Sequence, residues 1–278
     1  MRANGGSDFR WGRATVAEAW HFILAGALVG FCVGVTGVGG GSLMTPLLTM
    51  MGVPLHVAIG TDLLYASVTK SGGAVVHAIK RNINWPIVFW LSVGSIPAAM
   101  LTLWALKTFF GNANEYKHVL TVSLGFMLLL TAASLIFRKQ LQALHDASPL
   151  QNHLRQLIDR HTTTFTVFMG LALGVLVTLS SVGAGAFGVV VLLSLYPRLS
   201  TIQIIGTDVT HAVLLTLVAG LGHMRMGNVD SSLLLHLLIG SIPAIIVGTL
   251  LSSRLREDVI RPILGGTLAL LSIKFIFF

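Results

Sequence analysis

Two aspartates, Asp62 and Asp208, stand where acidic residues are costly. Each lies inside an apolar stretch, in "AIGTDLLYASVTK" (Ala58 to Lys70) and "IIGTDVTHAVLLT" (Ile204 to Thr216), and they are 146 residues apart. An aspartate near the centre of a membrane-spanning helix costs roughly 2.5–3.5 kcal/mol to insert, so each must face a partner or water. Two uses are open: the carboxyl braces a broken helix by accepting hydrogen bonds, or it exchanges protons with a transport path. Lys70 lies eight positions after Asp62, too far for an ordinary adjacent-turn pair, and Thr216 fills its slot in the second stretch. It therefore brings a positive charge of its own. His211 follows Asp208 by three positions, on nearly the same helix face, as a relay or substrate contact.

Two glycine-rich breaks accompany the aspartates, "GVTGVGGGS" (Gly34 to Ser42) and "SSVGAGAFG" (Ser180 to Gly188). A nucleotide loop is excluded, because no strand precedes either break and no βαβ unit can be drawn. Close helix packing is one remaining reading. The other is an unwound turn before a half-helix, whose amides and positive dipole end point into the protein. On that reading Gly39, Gly40, Gly41 and Ser42, together with Gly185, Ala186, Phe187 and Gly188, form a central site suited to an anion. Thr61, Thr207 and Lys70 add substrate contacts, and Asp62, Asp208 and His211 serve coupling or structure. Valine at Gly40 or Gly185 is expected to abolish uptake with folding largely intact.

These residues need elements to hold them at membrane depth, and the composition supplies them. Of 278 residues 54% are hydrophobic and 10% charged, and mean hydropathy is +0.83, which defines an integral membrane protein whose first partner is the lipid bilayer. The net charge of +8 does not signal nucleic acid. Lys80 and Arg81, or Arg138 and Lys139, sit in short polar breaks, as the positive-inside tendency places them. Cys32 is the lone cysteine, which rules out a disulfide framework or a cysteine metal cluster. Asp208 and His211 alone are too few ligands for a metal, and no motif requires a cofactor or forms an enzyme constellation. The first apolar run starts near Val16 without a small-residue cleavage site and reads as a retained segment.

Full spans of about the 20 residues a helix needs fall near 57–79, 86–106, 118–137, 200–222, 231–251 and 258–277. After each glycine break only a short apolar piece follows, "LMTPLLTMM" or "VVVLLSLY", which reads as a half-helix. A shift of 146 superposes Gly37 on Gly183, Gly39 on Gly185, Gly60-Thr61-Asp62 on Gly206-Thr207-Asp208, His77 on His223, Asn82 on Asn228, and "GSIPA" (Gly94 to Ala98) on "GSIPA" (Gly240 to Ala244). The fold class is thus an all-α polytopic membrane protein of two homologous helical repeats with Gly-interrupted helices. An N-terminal tail (1–15) precedes the first repeat (16–137). A basic amphipathic cytoplasmic linker (138–161), capped by "SPLQ" (Ser148 to Gln151), leads to the second repeat (162–278). Ser200 with Gln203 forms a capping box, Asn84 and Asp230 read as N-caps, and His77 and His223 as helix C-terminal residues.

The paired glycine breaks, the two "GTD" helices, the histidine and polar turn after each, and the two Gly-Ser-Ile-Pro helices together resemble the TauE/SafE sulfite exporter family, also called the TSUP transporters. The resemblance covers nearly the whole chain outside the tail and linker. It implies a multi-pass permease of the cell inner membrane for a small inorganic or organosulfur anion: sulfite, an organosulfonate such as sulfoacetate, or thiosulfate. The repeated features favour transport, read as a secondary transporter, with proton coupling, uniport and channel left open. An anion channel fits the same symmetry, and an intramembrane enzyme would need a nucleophile and base confined to one half. A homo-oligomer is compatible with the sequence.

Topology has two solutions. Four crossings per repeat give a parallel repeat with the N-terminus, Lys80/Arg81, the linker and Arg225 all cytoplasmic, which the charge distribution favours. Five crossings per repeat give an inverted repeat with Arg225 on the opposite side.

Overall fold

The computed structural model describes residues 16–36, 41–110, 113–136, 151–183, 185–252 and 257–277. Among them are ten helices and no strand: α1 (Val16–Thr36), α2 (Gly41–Met50), α3 (Leu55–Ile79), α4 (Trp85–Phe109), α5 (Ala113–Ile136), α6 (Gln151–Ser180), α7 (Ala186–Leu195), α8 (Thr201–Arg225), α9 (Ser231–Ser252) and α10 (Glu257–Phe277). Five of them contain stretches long and apolar enough to cross a membrane: Trp85–Phe109, Glu115–Ile136, His161–Ser180, Thr201–Arg225 and Ser231–Leu251. Large apolar side chains cover their outer faces, among them Trp85 and Phe89 on α4, Phe168 on α6 and Leu250 on α9. Exposure on this scale suits lipid, where such faces need no further protein cover.

The helix starts follow local chemistry. Ser200 and Gln203 form the full capping box at α8. The Asn84 side chain accepts from the Ile87 amide at α4, and Asp230 accepts from Ser232 and Leu233 at α9. Residues 137–150, most of the linker with its "SPLQ" cap, lie outside the described residues. The helix from Gln151 runs into α6 with a non-helical residue at His161 (φ −126°, ψ 24°), which separates the linker's last turns from the apolar helix beyond.

The 146-residue offset recurs in the helix bounds: α3 and α8 each span 25 residues, from Leu55 and from Thr201. It recurs in packing as well. The principal partner of α1 is α9, and that of α4 is α6, so the opening helix of each half lies against the fourth helix of the other. Glycines let these backbones close up: a methyl added at Gly30 of α1 would lie 2.6 Å from the Ser241 carbonyl of α9, and one at Gly174 of α6 would lie 2.8 Å from the Ala98 methyl of α4. One buried apolar cluster draws on α3, α4, α5, α6, α7, α8 and α10 together, so the two halves share a core.

Helix directions follow from which residues meet. Ser67 of α3 donates to the Val213 carbonyl of α8, 146 residues on, at 3.4 Å. On either side of that crossing, Gly60 near the start of α3 approaches Asn228 and His223 at the end of α8, and Gly206 near the start of α8 approaches His77 and Asn82 at the end of α3. Helices α3 and α8 are therefore antiparallel. The pair α5 and α10 is also antiparallel, with Gly125 near Ile276 and Gly265 near Ile136. Helix α1 runs parallel to α9, since Gly26 meets Leu237 and Gly34 meets Ile245.

These directions correct the four-crossing, parallel arrangement. With α3 and α8 antiparallel, Lys80 and Arg81 at the end of one and Arg225 at the end of the other face opposite sides of the bundle. Helix α9 reverses α8 and so runs with α3, and α1 runs with α9. Both α1 and α3 then point the same way, which requires the short α2 to fold back between them. The charge distribution misled because a few lysines and arginines bias topology only weakly, whereas helix pairing is fixed by many contacts.

Candidate functional site

The two half-helices pack against α3 and α8, and each brings a residue of its first two turns to an aspartate. Thr45, in the second turn of α2, donates its hydroxyl to Oδ2 of Asp62. Gly188, in the first turn of α7, lies so close to Asp208 that an added methyl would collide with Oδ1 and stand 3.2 Å from Cγ. Both aspartates are fully buried. Each sits about two turns inside its helix, roughly 10 Å from its start. A negative group at the N-terminal turn of a helix is electrostatically favoured, and the Asp208 carboxyl, against the first turn of α7, is placed to use that end.

The two carboxyls differ in their partners. Asp62 accepts from Thr45, and Ser181 faces it from the second glycine break. Ser181 itself has a left-handed backbone (φ 59°), unusual for a residue with a side chain and typical of a broken helix held by its surroundings. Neither oxygen of Asp208 has a hydrogen-bond partner among the described residues. The offset puts Val191 in the slot of Thr45 and Val35 in that of Ser181.

Lys70 is buried and interacts electrostatically with Asp208 first and with Asp62 second. Spacing along the chain gave the lysine no aspartate partner, and the packing of α3 on α8 supplies one. Along α3, Lys70 and Asp62 are about 12 Å apart. Across the antiparallel crossing at Ser67 and Val213, Lys70 comes level with Thr210, within a turn of Asp208. His211, also fully buried, pairs through Nε2 with the Ser95 hydroxyl at 2.8 Å. Its counterpart Tyr65 faces Ser241, which is Ser95 of the second "GSIPA". The site gains Thr45, Ser95, Ser181, Tyr65 and Ser241 over the sequence reading. The repeated "GSIPA" could have pointed to the two serines.

Other sequence candidates have different tasks. The Thr61 hydroxyl accepts from the Asp230 amide at 3.1 Å and that of Thr207 from the Asn84 amide at 2.9 Å, a reciprocal pair tying each "GTD" helix to the cap of the opposite half. Thr207 also donates to the Gln203 carbonyl. These bonds give both hydroxyls a task in joining the halves. His223 meets the Thr178 carbonyl through Nε2 at 3.0 Å and the Asn228 amide through Nδ1 at 3.1 Å, as befits a helix-end residue. Gly39 and Gly40 lie outside the described residues. Gly41 and Ser42 open α2, and Ala186, Phe187 and Gly188 open α7 after Gly185. The Gly188 amide already donates to the Gly183 carbonyl. Gly185 has φ 138°, so valine there would strain the backbone and test folding rather than anion binding.

The sequence has known relatives. The sequence model described as "Sulfite exporter TauE/SafE" matches residues 22–275. The chain belongs to the TauE/SafE family. It is 35% identical over 254 residues to the "Probable membrane transporter protein YjnA" of Bacillus subtilis (strain 168), covering 91% of this chain and 98% of that one. It is 28% identical over 259 residues to the "Probable membrane transporter protein YdhB" of the same organism, covering 92% and 99%. A "Probable membrane transporter protein" of Xylella fastidiosa (strain Temecula1 / ATCC 700964) is 29% identical over 234 residues, 83% of this chain and 84% of that one. No solved structure matches the chain. This TauE/SafE chain is therefore a multi-pass membrane transporter of a small-molecule substrate.

Proposed function

We propose that this transporter is a proton-coupled secondary carrier of a small sulfur-containing anion, sulfite or an organosulfonate, and that the anion binds between the N-terminal turns of α2 and α7. The observation that carries the proposal is that each half-helix reaches a buried carboxyl while one buried lysine acts on both, within one pair of crossing helices. Helix N-termini and a lysine attract an oxyanion, and a neighbouring carboxyl supplies the site for a coupled proton. The family's description as a sulfite exporter supports the substrate class. Full burial of Asp62 and Asp208 favours a carrier closed around its site over an anion channel, whose pore would keep such groups in water. No nucleic acid, metal or cofactor enters the mechanism.

The halves 16–137 and 162–278 act as inverted repeats joined by the linker, in the cell inner membrane. Cysteines placed singly at 81 and 225 in a Cys32→Ser background should react with an impermeant reagent from opposite sides. Labelling from the same side would contradict the inverted arrangement. Function is tested in proteoliposomes with sulfite, sulfate, sulfoacetate, thiosulfate and chloride, with and without a pH gradient. Saturable flux, counterflow and proton-driven accumulation of a sulfur anion are expected. Flux that never saturates, or indifference to the proton gradient at every pH, would overturn the carrier or the coupling respectively.

A further inference from the structure

Asp208 stands where the anion should. Its carboxyl lies against Gly188 at the positive end of α7, and Lys70 acts on it from α3. It is fully buried, and none of the described residues donates a hydrogen bond to either oxygen; the half-helix and the lysine are the groups seen to compensate its charge. Those same two groups would hold a substrate oxyanion. Two negative charges cannot share one small positive site without strong mutual repulsion at low dielectric.

We propose that Asp208 is a tethered competitor of the substrate. As a carboxylate it occupies the positive end of α7 and the field of Lys70; on taking one proton from solution it gives up both, and one anion binds in its place. Release of the anion returns the site to the carboxylate, which sheds the proton to the same side. The proposal rests on the carrier reading and adds to it the stoichiometry of one proton per anion and the residue that enforces it.

The surroundings of Asp208 leave few other groups to produce a pH response. Lys70 faces it from α3, with Asp62 and Tyr65 beyond; His77, at the end of α3, lies against Gly206 two residues before it, and His211 lies on its own helix. Helix α7 has no titratable side chain, α4 has only Lys107 near its far end, and the apolar part of α6 has only His161 at its start. Asp62 is set apart by the Thr45 hydroxyl, which satisfies one of its oxygens without displacing anything from α2.

The test measures equilibrium binding to the purified full-length protein by calorimetry, from about pH 5 to about pH 8. The probes are sulfate, thiosulfate and methanesulfonate, none of which takes up a proton in that range. For the unaltered protein, Kd should rise about tenfold per pH unit once Asp208 has lost its proton, as linkage to one proton requires. Asp208→Asn, which mimics the protonated carboxyl, should bind with a Kd that does not change with pH. Val191→Thr, which offers Asp208 the donor that Asp62 has, should weaken binding about tenfold at a given pH. If no probe binds the unaltered protein at any pH, the carrier reading itself fails. If a probe binds with no pH dependence, or folded Asp208→Asn keeps the original slope, the competitor role is wrong while the carrier reading stands. Should Asp208→Asn not fold, Val191→Thr decides, and binding identical to the unaltered protein would overturn the proposal.

Discussion

Asp62 and Asp208 occupy equivalent places in two halves of one chain, yet their neighbours differ in kind. Around Asp62 are hydroxyls, from Thr45 on the half-helix and Ser181 in the opposite break. Asp208 has valines in those slots, a glycine pressed against its carboxyl, and Lys70 reaching across from the other half. A donor that stays in place holds a carboxyl still, whereas compensation by a helix end and a lysine can be handed to another anion. On the proposed reading, differences at a few side chains assign bracing to one carboxyl and exchange to the other.

That contrast predicts unequal responses. The largest belongs to Lys70→Met, which leaves Asp208 buried beside a helix end alone. Removing one member of a buried charge pair costs about 3–5 kcal/mol, so thermal unfolding in detergent should fall sharply and uptake should vanish. Adding Asp208→Asn should restore most of the stability, and Asp62→Asn should not. If Asp62→Asn rescues Lys70→Met as well as Asp208→Asn does, the lysine serves both carboxyls and the contrast breaks.

Gly188→Ala comes next. Its methyl meets the Asp208 carboxyl and should cost about 1–3 kcal/mol as an overpacked site does, with uptake reduced; shortening the side chain by Asp208→Ala should relieve the loss of stability. Thr45→Val removes the donor to Asp62 and should cost about 1–2 kcal/mol while leaving the pH dependence of transport in place. Thr61→Val and Thr207→Val should each cost about 1 kcal/mol, by similar amounts, because the two hydroxyls make reciprocal bonds across the halves. Unequal losses at that pair would show that the divergence extends beyond the carboxyls.

The helices and their ends were legible because their signals are local. The Ser200–Gln203 box, the caps at Asn84 and Asp230, and the glycine breaks ahead of two ten-residue helices depend on residues a few positions apart. The aspartates were legible because charge in an apolar helix is conspicuous. What could not be read was direction. A 146-residue offset relates the halves equally well whether the second is parallel or inverted, and only the contacts on either side of the crossing at Ser67 and Val213 tell them apart. The partner of Lys70 was hidden for the same reason: measured along α3 it belongs to neither aspartate, and measured across an antiparallel pair it comes level with the turn of Asp208. Thr45 was overlooked because its contact with Asp62 exists only once α2 folds back on α3.

The most direct test of this division of labour is proton-driven accumulation of a sulfur anion in proteoliposomes containing Asp62→Asn or Asp208→Asn, measured side by side with counterflow. Asp208→Asn should still exchange anion but lose its response to the pH gradient. Asp62→Asn should give less folded protein, and what folds should still couple. Accumulation by Asp208→Asn against a gradient driven by protons alone, or loss of coupling in well-folded Asp62→Asn, would contradict the account.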